Sequence, residues 1–177
     1  MLHVPEILGD GRYTIPFLAA VAVAGSVFEE DQVMYTARGW SLRSLRGMLV
    51  GWPPLLALQY VTGASRPGES PSGSRWNPFE DNNGVSGHTF MGAVPLITAA
   101  KMARHPLWKA AFYLVSTWAG ISRVNDDRHY LSQVLLGWWM AYVAATAVDR
   151  TEQAAASFRL FPVVSNDGLG VAVLYDW

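Results

Sequence analysis

The 177-residue sequence predicts an all-α protein, a bundle of about five apolar helices with a short C-terminal tail that resembles a β-hairpin. Two observations favour helices. Hydrophobic residues make up 51% of the chain and charged residues only 15%, below the roughly 25% usual in soluble domains. The apolar residues also fall into five long stretches, whereas strands rarely exceed about 10 residues. The length fits a single domain over residues 1–177.

The five stretches are residues 13–28, 47–65, 89–100, 110–122 and 129–148, and Pro53-Pro54 interrupts the second. A membrane-spanning helix needs about 20 mostly apolar residues, which the fifth stretch reaches and the second nearly does. The pattern favours a membrane bundle, with a soluble bundle of buried helices as the alternative. The first residues lack the basic and apolar regions of a secretory signal, so we expect no cleavable signal peptide.

Polar segments separate the helices. Residues 65–84 are rich in Pro, Gly, Ser and Asn, and residues 123–128 form a shorter polar link. Structureless segments of about 20 residues are uncommon in compact domains unless they are functional. In the tail, residues 163–177, β-branched residues flank Asn166-Asp167-Gly168, which is typical of a hairpin. We therefore look for a functional site in the two polar segments.

Composition excludes several classes of function. A formal charge of −1 argues against nucleic-acid binding, which usually needs a basic excess. The absence of cysteine excludes disulfide scaffolds, zinc ribbons and thiol catalysis. The four histidines are widely spaced and lack carboxylates at ligand spacing, so we predict no metal site and no cofactor. Nothing in the sequence predicts an oligomeric state.

Residues of catalytic type cluster in and beside the two polar segments. They are Arg66-Pro67, then Ser86-Gly87-His88, then Ser122-Arg123 with His129 and Gln133. Taken singly they have ordinary interpretations, such as a solvated arginine or a Ser86 that caps a helix. Together they describe an anion site. A helix start presents free N–H groups, arginines match phosphate oxygens, and histidines transfer protons or attack near neutral pH.

Gln133 follows His129 by one helical turn, so the two side chains share a face and can form a hydrogen bond. Two arginines, two histidines and a helix N-terminus are typical of a site for phosphoryl transfer.

The order and spacing of these motifs, from Gln59 to Gln133, resemble the type 2 phosphatidic acid phosphatase and vanadium haloperoxidase superfamily, in its membrane-associated lipid phosphatase branch. Its signatures are Lys-x6-Arg-Pro, Pro-Ser-Gly-His and Ser-Arg-x5-His-x3-Asp. The third appears here as SRVNDDRHYLSQ and the second as VSGH, while the first keeps Arg66-Pro67. Gln59 stands at the position of the family lysine, Val85 at that of the proline and Gln133 at that of the aspartate.

The resemblance implies an all-α core and a metal-independent reaction in two steps. His129 would attack phosphorus, and His88 would protonate the leaving oxygen and then activate water. Gln133 would orient His129 in place of the family aspartate. The phosphate oxygens would be held by Arg66, Ser86, Gly87 and Arg123, with Gln59 at the lysine position. Arg75, in the same segment as Arg66, either replaces the lost cation or is solvated. Asp126 and Asp127 either compensate near His129 or are solvated.

The resemblance further implies a lipid phosphate, a pyrophosphate or another phosphate ester as the substrate. It also implies a membrane location, of the bacterial inner-membrane type, with the site on the periplasmic or outer side. A soluble acid phosphatase for small esters is the nearest alternative. A phosphate-binding or scaffold protein, altered by Gln59 and Gln133, is another. A vanadium haloperoxidase is disfavoured because the lysine that pairs with vanadate is absent.

Overall fold

The computed structural model describes residues 3–70, 73–165 and 168–175, with side chains for residues 6–70 and 73–155. These residues confirm the all-α class. The helices described are α1 (His3–Gly9), α2 (Gly11–Val27), α3 (Gln32–Thr62), α4 (Gly87–Met102), α5 (Pro106–Val115), α6 (Trp118–Asn125) and α7 (Leu131–Ser157).

α3 is much longer than its predicted apolar stretch. It begins at Gln32 because Asp31 caps it, accepting the N–H groups of Val33 and Met34 at 2.8 and 2.9 Å. It also continues through Pro53-Pro54, which the sequence predicts as an interruption. Prolines leave the carbonyls four residues earlier without a donor. Those carbonyls belong to Leu49 and Val50, which are both exposed residues.

The fourth predicted helix is two helices. α5 ends at Val115 and α6 begins at Trp118, with Ser116 between them. The Ser116 hydroxyl donates to the carbonyl of Tyr113 at 2.6 Å and accepts the indole N–H of Trp138 at 2.8 Å. The break is therefore tied to α7. Because α6 continues to Asn125, the predicted polar link is shorter than expected, and Arg123 lies on a helix.

α4 lies at the centre of the bundle, and ten of its sixteen residues are buried. It packs against α3 and α7 and also contacts α1, α5 and α6. Glycines permit the closest approaches. A Cβ on Gly51 of α3 would lie 2.6 Å from the Phe90 ring of α4, and one on Gly137 of α7 would overlap the Ser86 carbonyl. The core therefore fixes the start of α4 against α7.

The bundle has two chemically different ends. At one end, here called the site end, the end of α3 meets the starts of α4 and α7. The Ser86 N–H donates to the carbonyl of Gln133 at 3.0 Å. At the other end, here called the basic end, the first half of α3 meets the last turns of α4 and α7, where Arg46 pairs with Glu152. Arg38 and Gln59 are 21 residues apart on α3, which corresponds to about 30 Å.

The predicted hairpin tail, residues 163–177, lies partly outside the described residues. Where the structure describes it, the backbones of β1 (Phe158–Ser165) and β2 (Gly168–Tyr175) pair antiparallel, with Phe158 opposite Tyr175. Residues 166–167, the predicted turn, and residues 176–177 are among those not described.

One helix in the described part of the chain is long and apolar enough to cross a membrane. It covers Leu131–Ala155 of α7, with a mean hydropathy of 1.4, and 39% of its most apolar window is buried. α2 is apolar but shorter. One such helix is a weak indication of a membrane protein, because a core helix has the same length and composition.

Candidate active site

A cavity of about 800 Å³ opens at the site end of the bundle. One part of its wall is polar and includes Asp10, Arg12, Gln59, Arg66, Asn83, Gly87, His88 and His129. The other part is apolar and includes Ile15, Leu45, Met48, Leu49, Trp52 and Met91. Gln59 and Leu45 lie on α3 and are 14 residues apart, so the apolar wall extends about 20 Å from the polar end.

The orientation of His129 is fixed by Gln133. His129 Nδ1 lies 2.9 Å from Gln133 Oε1, and both side chains are buried. The same Oε1 accepts the Tyr130 N–H at 3.1 Å, and Gln133 Nε2 donates to the Ser65 carbonyl at 2.9 Å. These backbone partners define which atom of the amide is oxygen. Nδ1 must therefore carry the proton, which leaves the lone pair on His129 Nε2.

The start of α4 forms a second part of the wall. Ser86 is the predicted N-cap, and its hydroxyl accepts the N–H of Thr89 at 3.3 Å and the Thr89 hydroxyl at 2.9 Å. Ser86 is fully buried and lies behind the wall, whereas Gly87 and His88 line the cavity. The N–H groups of this first turn and the helix dipole therefore give one side of the cavity a positive potential.

Arg66 and Arg123 differ in their surroundings. Arg66 lines the cavity, and its Nε donates to Asn83 Oδ1 at 2.9 Å. Arg123 is buried behind the cavity, where its Nη2 lies 3.3 Å from Asp126 Oδ2 and 3.3 Å from Glu6 Oε1. Its Nε is buried without a hydrogen-bond partner among the described residues. The Arg123 carbonyl accepts the N–H of His129 at 3.2 Å, so these two residues are tied together.

Both histidines have a pKa below the ordinary value of about 6.5. Burial is the main cause for His129, and the positive charges of Arg66 and Arg123 lower its pKa further, although the hydrogen bond to Gln133 opposes them. Burial is also the main cause of the lowered pKa of His88, followed by the charge of Arg123. Both imidazoles are therefore mostly neutral near pH 7.

The remaining predicted residues are bonded to other groups of the protein or lie outside the cavity. Gln59 lines the cavity, but its amide nitrogen donates to the Val85 carbonyl at 2.8 Å. Arg75 does not line the cavity, and its guanidinium binds Asp81 at 2.8 Å. Asp126 pairs with Arg123, and Asp127 has a left-handed backbone with φ of 50°. The cavity thus brings Gln59, Arg66, Gly87, His88 and His129 together, with Ser86, Arg123 and Gln133 behind it.

The structure adds residues that the sequence does not single out. Asn83 orients Arg66, and Glu6 pairs with Arg123. Asp10 and Arg12 line the cavity and bind each other through Nη2 and Oδ2 at 2.6 Å. Their hydrogen bonds lower the pKa of Asp10 to about 2. Asp10 precedes an apolar stretch, which is an N-cap signal, but nothing local predicts its approach to His88.

The described residues contain no group of three His, Asp or Glu side chains that could hold a metal ion. The lining residues instead offer guanidinium and backbone N–H donors, which bind oxyanions.

In this helical bundle, His88, His129, Arg66 and the start of α4 line one cavity, which gives that cavity the chemistry of an oxyanion site. A family model described as the PAP2 superfamily matches residues 47–156, more than half of the chain. The chain therefore belongs to the PAP2 superfamily, and this membership supports a phosphatase-type activity on phosphate esters. No curated protein and no solved structure matches the chain.

Proposed function

We propose that this chain is a metal-independent phosphatase or phosphotransferase that acts on a lipid phosphate or pyrophosphate through a phosphohistidine at His129. The fixed amide of Gln133 carries the proposal. Because Gln133 Oε1 requires the proton to be on Nδ1, His129 Nε2 keeps its lone pair. A neutral, oriented imidazole beside arginines is suited to attack phosphorus.

In the first step, His129 Nε2 forms a bond to phosphorus while the bond from phosphorus to the leaving oxygen breaks. Protonated His88 gives its proton to that oxygen. In the second step, neutral His88 takes a proton from water as the water oxygen attacks phosphorus. The N–P bond then breaks, which returns its electron pair to His129 and releases phosphate. An alcohol in place of water makes the reaction a transfer.

The charge that develops on phosphate oxygens would be stabilised by Arg66 and by the N–H groups at Gly87. Arg123 and Ser86 would act from behind the wall. The Arg123 Nε has no hydrogen-bond partner among the described residues, which supports a role as a donor once a phosphate is bound. Gln59 replaces a cation with a neutral amide, and Arg75 is engaged by Asp81, so this pocket would rely on fewer charges than the family signature.

The apolar wall supports a lipid substrate. Ile15, Met48 and Leu49 extend the cavity away from the histidines, and a wall of about 20 Å matches an acyl or prenyl chain. Large exposed apolar residues on α2, α3 and α7 support a membrane location. Arginines lie at both ends of the bundle: Arg38, Arg43, Arg46, Arg104 and Arg150 at the basic end, and Arg12, Arg66, Arg75, Arg123 and Arg128 at the site end. The proposal that the site faces the periplasm or outside therefore depends on the resemblance to the family and not on the positive-inside rule.

The test measures phosphate release from matched lipid and soluble phosphate esters in detergent. We expect His129→Asn to lower kcat/KM by at least about 1,000-fold. The control is His105→Asn, because His105 caps α5 at the other end of the bundle and Asn retains a capping side chain. Equal activity in the wild type and His129→Asn would contradict the proposal.

Phosphoenzyme trapping tests the intermediate itself. In His88→Asn both steps lose their proton transfer, so the substrate is an aryl phosphate, whose leaving group departs without a proton. A short incubation should then add one phosphate to the peptide that contains His129, because the second step lacks its base. The adduct should be labile in acid and stable in base.

A preference for soluble esters would favour the acid phosphatase alternative. Binding of phosphate without release from any ester would favour the altered-pocket alternative.

A further inference from the structure

A second polar crevice lies at the basic end of the bundle. Its volume is about 320 Å³, and it is formed by the first half of α3 with the ends of α4 and α7. Its lining includes three arginines, Arg38, Arg43 and Arg46, and one carboxylate, Glu152. The lining therefore carries two net positive charges. None of these residues takes part in the proposed reaction.

Arg38 is the unusual member of this group. Its Nε is buried and has no hydrogen-bond partner among the described residues, and no ion pair forms to its guanidinium there. Arg123 Nε, at the candidate active site, is the other buried side-chain nitrogen of this kind in the described part of the chain. A buried guanidinium N–H without an acceptor is costly. The Arg38 side chain also lines the crevice, where its unpaired charge favours an anion.

Glu152 indicates where an anionic oxygen is held in the crevice. Its carboxylate, from α7, hydrogen bonds to Arg46 and lies 3.9 Å from Arg43 Nη2. The Glu152 carboxylate thus forms ion pairs with two guanidinium groups, and Arg38 has no carboxylate partner among the described residues. The crevice is partly filled by an internal anion and retains an excess of donors.

The shape of the crevice admits a group larger than a single ion. Gly39 lies in its wall, and a Cβ there would meet only Met102 Cε, at 3.9 Å. Tyr35 and Leu42 of α3 also line it and are exposed, which gives the basic crevice an apolar rim. A phosphate held by arginines, with glycerol carbons against such a rim, matches the headgroup of an anionic phospholipid.

We propose that the crevice lined by Arg38, Arg43 and Arg46 binds the phosphodiester headgroup of an anionic phospholipid, separately from the reaction cavity. The inference depends on the membrane location proposed above and not on the phosphatase reaction. Glu152 competes with the lipid phosphate for Arg43 and Arg46, so it sets the affinity of the site.

The experiment titrates detergent-solubilised full chain with phosphatidylglycerol and counts bound lipid by native mass spectrometry. Phosphatidylcholine, with no net charge, and inorganic phosphate serve as comparison ligands. We expect saturable binding of phosphatidylglycerol and no saturable binding of phosphatidylcholine at the same concentration. Inorganic phosphate as effective as phosphatidylglycerol would overturn the lipid assignment.

Two variants with effects of opposite sign test the site. Arg38→Gln should weaken phosphatidylglycerol binding about fivefold, the change expected for one basic residue at an anionic lipid surface. Glu152→Gln should strengthen it by a similar factor, since it frees Arg43 and Arg46. Opposite signs separate the proposal from misfolding. Even if Arg38→Gln fails to fold, weaker or unchanged binding in Glu152→Gln would overturn it.

Matched controls separate the crevice from general charge and from the reaction cavity. Glu30→Gln makes the same charge change at the basic end without touching the crevice, and Arg66→Gln changes the other cavity. Glu30→Gln should bind phosphatidylglycerol as the wild type does, and Arg66→Gln should keep the saturable site that Arg38→Gln weakens. A loss confined to Arg66→Gln would assign the lipid to the reaction cavity and overturn the proposal, leaving the His129 test unaffected.

Discussion

Arg123 at the site end and Arg38 at the basic end both bury a guanidinium nitrogen that has no partner in the described part of the chain, yet their neighbours give the two ends different chemistry. At the site end, two imidazoles with lowered pKa values and the start of α4 surround the arginines. At the basic end, the residues that line the crevice include no histidine. The two proposed roles of a buried arginine therefore differ: Arg123 acts beside reacting groups, and Arg38 acts in binding alone. Four predictions test this comparison.

The largest expected effect concerns the guanidinium groups at the two ends. Arg123→Gln should lower kcat/KM for a lipid phosphate by about 100-fold or more. In the proposed reaction, the Arg123 cation stabilises the negative charge that develops on the phosphate oxygens in the transition state. Arg104→Gln makes the same change at an exposed position of the basic end and should leave kcat/KM unchanged. Similar losses of kcat/KM in both variants would show that Arg123 has no particular role in the reaction.

The second prediction uses two glycines and thermal unfolding. Gly137→Ala should destabilise the protein by about 1 to 3 kcal/mol, because its Cβ would overlap the Ser86 carbonyl and push α7 from the start of α4. Gly39→Ala on α3, whose Cβ would make only an ordinary contact with Met102 Cε at 3.9 Å, should stabilise it by about 0.5 to 1 kcal/mol through helix propensity. Equal shifts in Tm would contradict the tight packing inferred at the site end.

The third prediction concerns pH. His129 must be neutral to attack and His88 protonated to donate, and both pKa values lie below about 6.5. Activity falls at low pH as His129 becomes protonated and at high pH as His88 loses its proton. The maximum of kcat/KM should therefore lie on the acid side of pH 6.5.

Gln133→Glu sharpens that prediction. A carboxylate beside His129 favours the imidazolium, raises its pKa and should move the acid limb of the pH profile upward by about one unit. Gln153→Glu makes the same change four turns or more further along α7 and should leave the limb in place. An unmoved limb in Gln133→Glu would mean that His129 does not titrate in the reaction.

The smallest effect is expected at Glu6, which lies outside the family match. Glu6→Gln should lower kcat/KM by at most about fivefold, because Glu6 is half-exposed and Asp126 still holds the same Arg123 nitrogen. Asp126→Asn removes the other carboxylate and serves as the comparison. A loss as large as that of Arg123→Gln would make Glu6 an essential part of the site.

The sequence predicted the helices where local physics decides them. Stretches of 16 and 20 apolar residues correspond to α2 and α7, and Ser86 caps α4 as its side chain suggests. It failed where tertiary contacts decide. The helix continues through Pro53-Pro54, where the residues whose carbonyls lose their donor are exposed, and Ser116, at the break between α5 and α6, accepts a hydrogen bond from Trp138. The residues near Pro53-Pro54 do not show which positions are exposed, and the residues near Ser116 do not show that Trp138 contacts it.

The candidate site divides in the same way. Motif spacing predicted the contact of His129 with Gln133, but His129 lies just before α7, and Gln133 reaches back to it from the first turn of that helix. By contrast, the contact of Gln133 with Ser65 spans 68 residues, and Asn83 meets Arg66 across 17. Arg75 pairs with Asp81 and does not line the cavity. This pairing depends on how residues 73–84 fold, which the spacing of the motifs does not specify.

The sequence by itself determined the helical class, the position of the helix start at Ser86 and the pairing of His129 with Gln133, because each depends on residues within a turn or two of each other. Tertiary structure alone decided which residues share a cavity, why both histidines have lowered pKa values and where basic residues collect. These properties depend on burial and on charges brought together from distant segments, and both arise only when the helices pack.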